Sequence, residues 1–88
     1  MNKIRRISSK GNTTVFKLDE REYAGIGIQA DTLKSLTDEL NEAIEEIHAK
    51  EYLEAIEILK CVEQDFRKIL NYYEEIVLEN NLTLPYLK

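Results

Sequence analysis

The sequence predicts an α+β fold: an N-terminal three-stranded antiparallel meander packed on a C-terminal antiparallel αα-hairpin. Two patterns carry this. Residues 1–30 hold short β-branched runs separated by turn formers, whereas residues 31–49 and 51–80 carry apolar residues at alternating spacings of three and four. The length of 88 residues suits a single domain, and a content of 43% hydrophobic and 33% charged residues lies in the globular range.

Residues 3–8 (Lys-Ile-Arg-Arg-Ile-Ser) form the first expected strand, which stops at the turn formers Ser9-Lys10-Gly11-Asn12. Thr13 to Leu18 resumes the β pattern, so the two runs make a hairpin. After a polar turn at Asp19 to Glu22, Tyr23 to Gln29 is the third strand. Its Ala24, Ile26 and Ile28 share one face and Gly25 and Gly27 the other, which gives a sheet covered on one side. The glycine face is bare, either because a backbone or ligand approaches it or because the strand is weak.

Asp31 is the expected N-cap of the first helix, and its carboxylate suits the positive end of the helix dipole. Leu33, Leu36, Leu40, Ala43, Ile44 and Ile47 mark one apolar face. Neither Gly nor Pro closes this helix, so its end is read from the pause in the pattern at His48 to Glu51. One bent helix from 32 to 80 is the alternative. In the second helix Leu59, Val62, Phe66, Ile69, Tyr73 and Ile76 form a continuous face, widened by Ile56, Leu70 and Val77 on one flank and by Ile58 and Tyr72 on the other. Asn80-Asn81 stops it, leaving residues 81–88 as an extended tail that packs back as an edge strand or docks on a second chain.

At about 1.5 Å per residue the second helix measures roughly 43 Å and the first roughly 27 Å. The shorter helix cannot cover the longer one. This predicts a homo-oligomer or a dedicated protein partner, with Phe66, Leu70, Tyr73, Ile76 and Val77 at the interface.

The net charge of −5 conceals an asymmetry: Lys3, Arg5, Arg6 and Lys10 make the first ten residues basic, while residues 38–79 hold thirteen acids against four Lys and Arg. The basic arm is expected to lie on acidic helices of its own or a neighbouring subunit. Nucleic acid is the weaker partner, since four charges are few and the acidic body repels phosphates. A nucleotide or similar small anion held between subunits is the other reading, with Arg5 and Arg6 neutralising phosphate and Tyr72 and Tyr73 stacking a ring.

No catalytic residue, cofactor or metal site is predicted. One His and one Cys exclude a Cys/His zinc site within one subunit. Adjacent acids such as Glu45/Glu46 and Glu74/Glu75 diverge by about 100° on a helix, and Gly25-Ile26-Gly27 lacks the third glycine of a dinucleotide fingerprint. With no apolar run near the roughly 18 residues of a membrane span, no signal-peptide core and a single cysteine, the expected compartment is the cytoplasm.

The run Ala24-Gly25-Ile26-Gly27-Ile28-Gln29-Ala30-Asp31-Thr32-Leu33, followed by Leu36, Glu39, Leu40, Glu42, Ala43 and Ile44, resembles the strand-to-helix passage of HicB-like antitoxins over residues 13–47. The resemblance implies a sheet that ends in an Asp-Thr helix start. The chain departs from that family in lacking a Pro-Gly ahead of the strand and a DNA-binding extension, and in its long second helix. Residues 49–59 also resemble half of a tetratricopeptide repeat, which indicates a helix pair. The expected function is a small, non-catalytic intracellular regulator or inhibitor. It acts by protein binding as a homo-oligomer, of the antitoxin-like or phage host-modifying type.

Overall fold

The computed structural model describes residues 3–88; Met1 and Asn2, at the head of the expected meander, lie outside the described residues. The fold is α+β, with strands β1 (Ile4–Lys10), β2 (Thr13–Leu18) and β3 (Gly25–Ile28) followed by helices α1 (Ala30–His48) and α2 (Tyr52–Glu79). The strands pair antiparallel in the order β1-β2-β3, and the two helices pack together as a hairpin.

Several boundaries differ from the expected ones for local reasons. β1 continues through Lys10, which pairs with Thr13, so the hairpin loop is only Gly11-Asn12. Gly11 has φ +56°, a conformation that glycine adopts without steric cost. α1 begins at Ala30, so Asp31 lies inside the first turn instead of capping it, and its Oδ1 accepts from the Thr32 amide at 2.9 Å. The tail forms no strand: Leu82 and Leu84 pack irregularly against the apolar core.

The chain divides into two compact units, Met1–Gln29 with Ile69–Lys88 and Ala30–Lys68. In the first, Val15, Ala24, Tyr73 and Val77 are buried, with Ile7, Ile26, Ile76, Leu82 and Leu84 packed around them. A bulge between Arg6 and Ser8 shifts the register and leaves Ile7 as the extra residue, partly buried against this core. On the opposite sheet face Phe16 pairs with Arg6 on one side and Gly25 on the other. Its ring fills the space over Gly25, so the glycine face is occupied from within.

This core corrects the length argument. Tyr73 and Val77, expected to need a second chain, are covered by the sheet and tail of their own unit. Three strands and two tail leucines supply the apolar atoms that α1 cannot.

In the second unit the buried residues are Leu36 and Ala43 on α1 and Ala55 and Val62 on α2. Each pair is seven residues apart, so each helix contributes a single heptad row to the contact. The Lys50 amide donates to the Ile47 carbonyl at 2.9 Å and the Glu51 amide to the Glu46 carbonyl at 2.8 Å. With Lys50 at φ +63°, these bonds form a Schellman motif that ends α1 and turns the chain into α2.

Candidate functional site

The six apolar residues of α1 span an arc of about 100° when projected down the helix, but packing divides them. At one edge Ala43 is 0% and Leu36 4% exposed; at the other, Ile44 is 52% and Leu33 53% exposed. Ile47 and Leu40 lie between and are also exposed. α2 repeats the division. Ala55 and Val62 are buried, while Tyr52, Ile56, Leu59 and Phe66, displaced to one side of that row, are exposed.

Both uncovered sets are displaced in the same rotational sense from their contact row. In an antiparallel pair this brings them to one side of the hairpin, as a continuous apolar face. The opposite side is acidic: Glu42, Glu46, Glu54 and Glu57, with Leu53 and Ile58, line a depression of about 390 Å³. Among the described residues no group of three or more His, Cys, Asp or Glu is arranged to hold a metal ion.

Packing separates the residues proposed from sequence to hold an anion. Tyr73 is buried, and its hydroxyl donates to the Ala24 carbonyl at 2.5 Å, so it has no ring face to offer a ligand. Tyr72 is partly buried, its hydroxyl hydrogen-bonded to that of Ser8. Arg5 and Arg6 are exposed, but they pair with Lys17 and Phe16 respectively and so point to opposite faces of the sheet. One phosphate cannot sit between them as drawn from sequence. The basic arm is the edge strand β1, whose Ile7 and Ser8 meet α2 at the core around Tyr73 and Val77 and at Tyr72, and among the described residues neither arginine is in an ion pair.

The expected interface residues part in the same way. Phe66 and Leu70 are exposed, Ile76 is partly buried, and Tyr73 and Val77 are interior. Leu33, Leu40, Ile44, Ile47, Tyr52, Ile56 and Leu59 were not foreseen as uncovered. The available signal was a second heptad row on α2, Tyr52, Ile56, Leu59 and Phe66, parallel to Ala55 and Val62.

The tail is tied to α2 by its aromatic residue. Tyr86 donates to Glu74 Oε2 at 2.9 Å, and Lys88 Nζ lies 3.6 Å from Glu74 Oε1. Burial, with the hydrogen bond to Glu74 and its charge, pushes the Tyr86 phenol up to about 12. Burial alone raises Tyr73.

No helix among the described residues is long and apolar enough to cross a membrane. A family model described as a family of unknown function (DUF6959) matches residues 1–86. No curated protein and no solved structure matches the chain.

Proposed function

The chain belongs to the DUF6959 family, whose model spans nearly all of it, and from that premise we propose a non-catalytic regulator or inhibitor that acts by binding protein. Its working surface is the uncovered apolar face of the helical hairpin. The single observation that carries this reading is the half-exposed row of large aliphatic and aromatic side chains on both helices, on one side of the pair. A contiguous apolar surface of this kind in a small acidic protein fits protein docking. An antitoxin-like or phage host-modifying role, carried by a homo-oligomer, belongs to this class. The exposed free thiol of Cys61 suits the reducing cytoplasm.

A nucleotide-holding oligomer is the weaker alternative, because Tyr73 is interior and Arg5 and Arg6 are divided between two sheet faces. The test compares wild type with Leu40→Glu and Ile56→Glu for retention of protein partners under conditions in which all three keep their helical circular dichroism. The docking reading expects retention by wild type alone. Equal retention by all three, or a thermal shift with a nucleotide that Arg5→Ala or Arg6→Ala abolishes, would overturn it.

A further inference from the structure

Building on the docking reading of the hairpin face, we infer that its occupant is a second copy of this chain, related by a two-fold axis so that two hairpins close into a four-helix bundle. The first argument is area. The half-exposed side chains on the face leave on the order of 700 Å² of largely apolar surface, within the roughly 600–1,000 Å² that each partner gives to a specific interface. A second hairpin presents two antiparallel ridges of matching spacing, which is how four-helix bundles fill their core.

Charge selects the same occupant. At the margin of the apolar strip α1 carries the uncharged Thr37 and Asn41, and on α2 Glu63 pairs with Arg67 at 3.7 Å. This rim is therefore balanced in sign. A face built for a strongly charged partner would carry the opposite sign at its margin, whereas a balanced margin meets its own copy without like-charge repulsion. The acidic back of the hairpin settles the orientation. Back-to-back packing would oppose Glu42, Glu46, Glu54 and Glu57 with their own symmetry mates, so the two copies meet through the apolar side.

The experiment is sedimentation of the full chain over a wide concentration range, with Ile56→Glu, the milder Ile56→Ser and, on the acidic back, Glu54→Lys. Wild type and Glu54→Lys are expected to reach twice the monomer mass. Both Ile56 variants are expected to weaken the dimer by about 30-fold or more, the loss expected of a central interface anchor. Methyl resonances of Ile44 and Ile56 in the unsubstituted protein are expected to shift with concentration while those of Ile26 in the sheet stay fixed; this arm requires no variant to fold. A wild type that stays monomeric throughout overturns the second copy. If that monomer nevertheless retains a different protein through Ile56, the docking reading survives without self-association. A dimer that Glu54→Lys disperses and Ile56→Glu does not would place the contact on the wrong face and also overturn the inference.

Discussion

The ring of Phe16 lies so close over Gly25 that a Cβ at that glycine would sit 2.8 Å from the ring Cζ, whereas one at Gly27 would find nothing nearer than 3.8 Å. Two glycines on the same strand face therefore have different reasons to be there. Gly25 makes room for an aromatic ring that covers the sheet; Gly27 has no such neighbour.

Gly25→Ala must displace the ring from its cross-strand position and is expected to cost about 1–3 kcal/mol, the usual range for overpacking. Gly27→Ala adds a methyl at ordinary contact distance and is expected to stay within about 0.5 kcal/mol of wild type. Urea denaturation of the two variants checks the contrast. Equal effects would mean that the ring does not hold its position over Gly25.

Alkaline pH should loosen the tail. The Tyr86 phenol, with its burial and its bond to Glu74, holds its proton up to about 12, against an ordinary value of 10.0. Between these values the unfolded chain has lost a proton that the folded chain still binds. The Tyr86 contribution to stability is thus complete below pH 10 and falls away as pH rises to about 12. Wild type is expected to lose stability across that window, and Tyr86→Phe to show a shallower fall after an initial loss of about 1 kcal/mol at neutral pH for the missing hydrogen bond. Tyr73, raised by burial, leaves a residual slope that Tyr73→Phe removes. Denaturation midpoints measured from pH 9 to 12 decide this; parallel curves for wild type and Tyr86→Phe would show that the tail is not held by that phenol.

The periodicities identified every element because strand and helix patterns report which side of an element is buried. They do not report what buries it. Tyr73 and Val77 look like an overhang when α2 is measured against α1, since nothing in their spacing shows that Val15, Ala24 and the distant Leu82 and Leu84 reach them. Conversely, Leu33 and Ile44 are indistinguishable from Leu36 and Ala43 along the helix. Spacing alone does not say which edge of that arc meets α2; the buried residues Ala43 and Ala55 are small, and their larger neighbours are left uncovered. The division of Arg5 and Arg6 between two faces, by contrast, follows directly from strand alternation once the run is accepted as a strand.

The end of α1 carries no glycine signal, because the residue that ends it is a lysine. Lys50 holds φ +63° at the position after the helix cap where glycine is usual, and the bonds from its own amide and that of Glu51 back to Ile47 and Glu46 keep it there. The same motif closes α2, where Asn81 at φ +59° donates to Leu78 at 3.1 Å and Leu82 donates to Val77 at 2.9 Å. A left-handed conformation costs a lysine roughly 1–2 kcal/mol that glycine avoids, while glycine adds back roughly 0.5–1 kcal/mol through the entropy of the unfolded chain. Lys50→Gly is therefore expected to stabilise the protein by about 0.5–1 kcal/mol, and Asn81→Gly to change little, because asparagine tolerates this region. Thermal and urea midpoints of the two variants measure the difference. A destabilised Lys50→Gly would mean that the lysine side chain contributes more to the hairpin turn than its backbone conformation costs.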